Sequence, residues 1–319
     1  MRILDLFSGM GGFSYGFLKA SRKTGVPVEI TAIDSWNYAI ESISSNLRIT
    51  AFRQDLTRYL PEGHYDIVIG GPPCRPWSAL NVQKRGIRHP DYRLLSVFYE
   101  NVFRLRPTVF IMENVPLLAN DPAFERYVLK AEKNGYSVIF SVYRYSDFGA
   151  ATRRRRLFVI GIMGSDAAGV VARLEMMKAP AKTVQEATWD LKDADGFPDH
   201  QWSHPRTIYK YYKKYKDGKF GWYILRWNEP APSFGNVNKT YILHPEGTRV
   251  ISAREAMRIM GFGDDYIFPP GVPLSAKYQM IADAVSPVFS EKLGVAVIEH
   301  LSSTAEMVGE KPEKLSMEI

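Results

Sequence analysis

Through residues 1 to about 160, short apolar runs alternate with stretches whose apolar residues recur at helical spacing. The runs at 2–6, 28–33, 66–69, 109–112, 137–143 and 157–160 are predicted strands. The stretches at 38–46, 94–105 and 123–134 are predicted helices. Strands separated by helices specify the α/β class, with a doubly wound, Rossmann-like, mostly parallel sheet. After about residue 190 the pattern changes: prolines, glycines and aromatics become dense and the helical period fades. Lys216-Asp217-Gly218-Lys219 lies between two period-two runs, which is a hairpin signal. Alternation before that turn sets Tyr209, Tyr211 and Tyr215 opposite Lys210, Lys214 and Lys216. Helical spacing returns at 252–260, where Ser252 and Glu255 stand as in a capping box. A last helical region is expected from Lys277 to Leu301. The chain therefore divides into an α/β domain over 1–190, a smaller β-rich domain over 191–276, and a helical segment over 277–319 returning to the first.

Composition narrows the function more than the fold. The 319 residues are 45% hydrophobic and 24% charged, ordinary for a globular protein with ample core. A single cysteine excludes an intrachain disulfide framework and any multi-cysteine zinc site, and no metal is expected. An exposed free thiol suits a reducing compartment. The first strand begins at once with no signal peptide before it, and no apolar run reaches membrane-spanning length, so a cytoplasmic location is expected. A net charge of +7 and an isoelectric point near 9.2 suit a polyanionic partner such as nucleic acid.

Candidate chemistry gathers at strand ends. The first strand runs into Asp5-Leu6-Phe7-Ser8-Gly9-Met10-Gly11-Gly12-Phe13. Glycines at the first βα turn let the backbone approach a ligand, and N–H groups at the helix start can face its polar end. Many such turns only pack strand on helix, and this one matches neither the dinucleotide fingerprint nor a phosphate loop. Asp34, followed by Ser35, ends the second strand, where a carboxylate can accept hydrogen bonds from ribose hydroxyls. Asp55-Leu56 adds a third acid. Three acids beside a glycine turn point to an adenosine-type cofactor without a triphosphate.

Gly70-Gly71-Pro72-Pro73-Cys74-Arg75-Pro76-Trp77-Ser78 follows the buried run 67–69 and holds the only cysteine. The stiff turn puts Cys74 on a partly exposed corner at the edge where open α/β sheets bind ligands. Position alone leaves that thiol between a nucleophile and a small buried apolar residue. Glu113 abuts the apolar run 109–112, so its carboxyl is expected to hold its proton and act as an acid, against the alternative of a solvated loop glutamate. In Thr152-Arg153-Arg154-Arg155-Arg156, alternation sends Arg154 and Arg156 to one side, where two guanidiniums can hold a phosphate or a base carbonyl. A solvated basic loop is the ordinary reading of such a run.

In this motif order the chain resembles the cytosine-5 DNA methyltransferase family over nearly its whole length. Residues 5–13 resemble its cofactor signature, 71–78 its Pro-Cys loop and Glu113-Asn114-Val115 its Glu-Asn-Val motif. Arg154 and Arg156 match its paired arginines, Arg254-Glu255-Ala256 and Met260-Gly261-Phe262 the stretch after its recognition domain, and 279–287 its terminal motif. The departures are Arg75 and Trp77 for the usual Gln and Phe, Thr152 for Gln, Asp283 for Asn and Asp34 for Glu.

The resemblance implies S-adenosyl-L-methionine as cofactor, with Asp5, Phe7, Ser8, Gly9, Met10, Gly12, Asp34, Ser35, Asp55, Leu56, Pro73, Asp283 and Ala284 around it. It implies that Cys74 adds to carbon 6 of cytosine, that Glu113 serves N3, and that Arg156, with Arg154, holds the carbonyl at position 2 or a phosphate. Those arginines are expected to raise the thiolate fraction of Cys74. Residues 1–190 would bind cofactor and catalyse, and 191–276 would read the target, with Tyr209 and Trp222 in its core. Lys84, Arg85, Arg88 and His89 would lie on a lid over flipped DNA. The implied partners are double-stranded DNA and a cognate restriction endonuclease acting on the same site, and the expected state is a monomer. A tRNA cytosine-5 methyltransferase and a catalytically silent DNA-binding regulator are the alternatives. The first lacks its Cys-Phe-Thr triplet here, and the second has no chemical need of Cys74, Glu113 and Arg156 together.

Overall fold

The computed structural model describes residues 1–78, 86–204 and 223–308. Its first part runs β1 (Arg2–Leu6), α1 (Gly12–Thr24), β2 (Glu29–Asp34), α2 (Asn37–Asn46), β3 (Thr50–Arg53) and β4 (Ile67–Gly70). It continues through α3 (Leu94–Leu105), β5 (Val109–Asn114), α4 (Pro122–Lys133), β6 (Tyr136–Arg144), β7 (Arg155–Met163) and α5 (Ala168–Glu175). The seven strands form one sheet in the order β3-β2-β1-β4-β5-β7-β6, with β7 alone antiparallel to its neighbours. From β1 the chain steps outward to β3, then returns to β4 on the other side of β1. Ligands bind at such a switch point, outside the carboxyl ends of the strands. β3 was not among the expected strands: it is a short edge strand, mostly exposed, and carries no apolar run.

Period-two alternation feeds two cores. Ile3, Ile67, Ile69, Ile111, Phe158 and Ile160 face one side, under α1, and Leu4, Leu6, Val68, Met112, Leu157 and Val159 face the other, under α3 and α4. β4 and β5 are buried throughout, as central strands covered on both faces must be.

The second part contains α6 (Val184–Thr188), β8 (Tyr223–Ile224), α7 (Val237–Thr240), β9 (Ile242–Leu243), α8 (Ala253–Met260), α9 (Leu274–Asp283) and α10 (Pro287–Val308). The expected hairpin at 216–219, the tyrosine–lysine alternation before it and Trp222 lie outside the described residues. Among those described, β8 and β9 pair in parallel, and Leu225, Phe234, Val237, Leu243 and Val250 join the core beneath Ile3. Ser252 and Glu255 form the capping box of α8, as their spacing specifies. A buried ion cluster ties this part together, with Asp199 accepting from Lys277 Nζ at 2.7 Å and lying 3.3 Å from Arg254.

The single helical region expected from Lys277 to Leu301 is two helices. α9 ends at Asp283, Ala284 is extended, and α10 restarts at Pro287. Proline cannot continue a helix and pushes its predecessor toward extended backbone, so the break is built into the sequence. The break has a use, because it lays the carbonyl of Val285 on the start of α1. A Cβ added at Gly12 would lie 2.2 Å from that oxygen, and one at Gly16 would lie 2.4 Å from Ser290 Cβ. Among the described residues, no helix is long and apolar enough to cross a membrane.

Candidate active site

A cavity of about 560 Å³ opens at the switch point, a size suited to a small molecule. Its wall brings together Asp5, Phe7, Ser8, Gly9, Asp34, Ser35, Asp55, Leu56, Pro73, Cys74, Glu113, Arg154, Arg156, Asp283 and Ala284. Two expected cofactor residues are not on it. Met10 is fully buried, with its carbonyl accepting from Tyr266 at 2.6 Å, and Gly12 is the close-packing point under Val285. Both pack the start of α1.

The glycine turn is held by the second strand. Asp34 Oδ2 accepts from the Gly9 N–H at 2.9 Å and Oδ1 from the Trp36 N–H at 2.8 Å, while the Ser8 N–H donates to Ile33 O at 3.1 Å. Phe7, at φ 57°, takes the left-handed region that non-glycine residues rarely adopt, a cost concentrated where function sits. Burial raises the Asp34 carboxyl above its usual range against those two backbone donors. Asp55 is exposed, and the Thr57 N–H and hydroxyl it accepts hold its carboxyl below the usual range. Ser8 Oγ is buried without a partner on this wall.

Asp5 faces α1 and accepts from Ser14 Oγ at 2.6 Å. Burial, with help from Asp34, lifts its carboxyl to about 7. Because the folded value is raised, the group's contribution to stability is complete below its unfolded value near 3.8 and is lost as pH rises through 7. Urea unfolding is therefore expected to show wild type losing about 2–3 kcal/mol more than Asp5→Asn between pH 5 and pH 8. Parallel curves for the two proteins would remove Asp5 as the source.

The nucleophile loop is held by the neighbouring strand. Asn114 Nδ2 donates to Pro72 O at 2.8 Å, fixing the proline turn from the end of β5. Sequence reasoning had used Asn114 only as part of a motif, although its place beside Glu113 was the available signal. A Cβ at Gly71 would stand 3.2 Å from Glu113 Oε2, so the turn passes directly over the carboxylate. Glu113 pairs with Phe158 across the ladder, which places Arg156 at the diagonal position within reach of a long side chain. Arg156 Nε lies 2.8 Å from Glu113 Oε1. Burial raises the Glu113 carboxyl, and Arg156 and Arg154 only partly offset it. Arg154 is buried, donates to Phe234 O at 3.2 Å and leaves its Nε unpartnered; burial and Arg156 lower it to about 10. Thr152 does not disturb this arrangement, since its hydroxyl donates to Pro232 O at 3.3 Å and accepts from the Arg154 N–H at 3.2 Å.

Cys74 is partly buried, and burial raises its thiol above the ordinary range. The nearby arginines favour the thiolate as expected, but they do not set the balance. Arg156 and Arg154 do lower it, but burial outweighs them, and Asp283 and Glu113 push the same way as burial. In the free protein the thiol is therefore protonated at neutral pH.

The wall also includes Phe13, Gln279, Met280 and Val285, which fall within the cofactor and terminal motifs, and Trp36 and Gln54, which no motif singled out. Gln54 follows the unexpected β3, and its N–H donates to Asp34 O at 2.9 Å. Gln279 Nε2 donates to Asp283 Oδ2 at 2.7 Å, so the unusual aspartate is oriented by its own helix. Asp5, Asp34, Asp55 and Asp283 line the cavity with apolar Phe7, Phe13, Leu56 and Met280, a set that fits a cation bearing a flat apolar group. Among the described residues no cluster of histidine, cysteine and acidic side chains has the form of a metal site.

The model of the family described as C-5 cytosine-specific DNA methylase matches residues 1–223 and 200–299. The type II methyltransferase M.MthTI of Methanothermobacter thermautotrophicus is 28% identical, over 94% of this chain and 98% of its own. M.HgiDI of Herpetosiphon aurantiacus, also a type II methyltransferase, is 28% identical over 89% of this chain and 90% of its own. Among solved structures, the Entamoeba histolytica methyltransferase EhMeth superposes with a TM-score of 0.75 at 16% identity, covering 94% of this chain and 98% of that one. At that identity the likeness concerns the fold.

Proposed function

The chain belongs to the C-5 cytosine-specific DNA methylase family and is a DNA (cytosine-5-)-methyltransferase, and from that premise we propose the details of its chemistry. The methyl donor is S-adenosyl-L-methionine, and the acceptor is carbon 5 of a cytosine flipped out of duplex DNA at a specific sequence. The observation that carries this reading is the shared wall, where Cys74, Glu113, Arg154 and Arg156 meet the glycine turn and the carboxylates of Asp5, Asp34, Asp55 and Asp283 in one cavity.

The donor fits the residues present. Ser8 Oγ has no protein partner, Asp34 and Asp55 retain acceptor capacity for hydroxyls, and Asp5, Asp34 and Asp283 favour a cation. Gly9, Phe7, Ser35, Leu56, Pro73 and Ala284 complete its surroundings. When bound, S-adenosylmethionine supplies an electrophilic methyl group on a sulfonium.

Cytosine carbon 5 is too weak a nucleophile to take that group unaided. Loss of the Cys74 proton and formation of a sulfur–carbon 6 bond push an electron pair toward carbon 5 and N3. Glu113, whose carboxyl burial raises, gives or shares a proton at N3 as charge develops there. The Arg154 Nε–H, buried and free of other partners, and Arg156 hold the carbonyl at position 2. After methylation, loss of the carbon 5 proton and cleavage of the sulfur–carbon bond restore the ring and free the thiol. Because the thiol of the free protein is held protonated, bound DNA must complete its activation. Base flipping is part of the same reading, since sulfur and methyl donor must reach a ring that stacking would bury. A cognate restriction endonuclease sharing the site is part of the same reading, in keeping with the type II relatives.

Incubation with labelled S-adenosylmethionine and either duplex DNA or tRNA tests it. Label is expected in DNA, as 5-methylcytosine confined to one sequence context. Label in tRNA alone, or in neither, would overturn the reading.

A further inference from the structure

Trp77, which stands where the family usually has Phe, links the stretch ending at Ser78 to the stretch that begins at Gly86. Trp77 is buried, and its Nε1–H donates to Asp121 Oδ2 at 2.7 Å. The Tyr92 hydroxyl donates to the other oxygen of the same carboxylate at 2.8 Å. Asp121 is itself fixed, because Oδ1 also caps α4 by accepting from the Ala123 N–H at 2.8 Å. The two rings meet with centroids 5.4 Å apart. The Gly86 N–H donates to Pro76 O at 2.8 Å, closing the two sides on each other. One side leads to the thiol, since the Trp77 N–H donates to Cys74 O at 3.0 Å. The other leads to Asp91 and Leu94, which line the cavity.

We propose that Trp77 is a positioning residue, whose indole N–H locks the Cys74 turn and the Tyr92 turn onto the carboxylate of Asp121 and so sets the angle at which sulfur enters the cavity. It rests on the reading of Cys74 as the nucleophile. A phenylalanine offers a smaller ring with no donor, so this chain holds its loop by a charge-assisted hydrogen bond that an apolar ring cannot make. The carboxylate stays in place without the indole, because the Tyr92 hydroxyl and the Ala123 N–H at the helix start still hold it. Releasing the indole therefore frees the Cys74 turn rather than the fold.

Trp77→Phe is the test, read in two assays. The chain has one cysteine, so alkylation by iodoacetamide reports Cys74 alone. Freed from its tether, the turn admits water to the thiol, and alkylation at neutral pH is expected to run several-fold faster, roughly 3- to 10-fold. Single-turnover methyl transfer at saturating DNA is expected to slow about 10-fold or more, since small displacements of a reacting atom cost that much. The dissociation constant for S-adenosylmethionine is expected to stay within about twofold, which a general loosening of the fold would not allow. Asp121→Asn, which keeps an acceptor for Ala123, is expected to reproduce both changes, and adding Trp77→Phe to it to change neither rate further. Alkylation and transfer rates both near wild type in Trp77→Phe, or additive effects in the double variant, would overturn the proposal. Failure of the wild-type protein to methylate DNA would instead strike the proposed function, while the alkylation assay would still decide whether the tether holds.

Discussion

Replacing Cys74 by serine is expected to lower methyl transfer to DNA by roughly 10⁴-fold or more, to background. The expectation follows from what each atom can do at carbon 6. A thiolate is polarisable and accessible near neutral pH, whereas a serine hydroxyl must lose a far more tightly held proton, and no histidine is among the cavity residues to take it. No second cysteine exists in the chain to substitute. The same variant tests the covalent step directly. On DNA carrying 5-fluorocytosine the carbon 5 proton is replaced by fluorine, which cannot leave as a cation, so the sulfur–carbon bond persists after methylation. Wild type is expected to form a band stable to denaturing electrophoresis, and Cys74→Ser none. Binding of S-adenosylmethionine is expected to survive, because the residues around it belong to β1, β2 and α9 as well as to the loop. Full activity of Cys74→Ser would end the covalent reading while leaving the methyltransferase assignment in place.

Much of this site was legible because its chemistry sits where strands stop. A buried strand announces its own end, and Asp5, Asp34, Cys74 and Glu113 each fall at or just beyond such an end. Alternation sent Arg154 and Arg156 to one side, and both line the cavity. What remained hidden depended on depth or on distant segments. Period-two alternation does not reveal how far a thiol is buried, so the balance at Cys74 between desolvation and its arginines needed the folded structure. Gln54 enters through a short exposed edge strand that has no apolar signature. Met10 and Gly12 belonged to the right turn but point to the packing of α1, where the broken end of α9 lies. Trp77 could be seen as unusual from the sequence alone, but its partner Asp121 lies 44 residues away.

Glu113→Gln separates the second chemical role from the first, because it should move two rates in opposite directions. Methyl transfer is expected to fall by about 10²- to 10⁴-fold, the usual contribution of a positioned general acid. Glutamine keeps the volume and the oxygen facing Arg156, so packing along β5 is preserved. It has no acidic proton for N3. Alkylation of Cys74 is expected to become faster at neutral pH. Glu113 is one of the groups that push the thiol upward, and without that negative charge Arg156 and Arg154 act on the sulfur less opposed. A variant that merely damaged the fold would slow transfer without this gain.

The pH profile supplies a further check. Burial raises the Glu113 carboxyl, so it stays protonated to higher pH than an ordinary glutamate and loses its proton above that point. In wild type, transfer limited by chemistry is expected to fall on the alkaline side as that proton is lost, while thiol ionisation pulls the rate upward over the same direction. In Glu113→Gln the alkaline fall should vanish and the residual rate should rise monotonically with pH, following Cys74 alone. An alkaline limb that persists in the glutamine variant would assign the acid to another group on the wall. Asp5, whose carboxyl burial lifts to about 7, is then the next to replace.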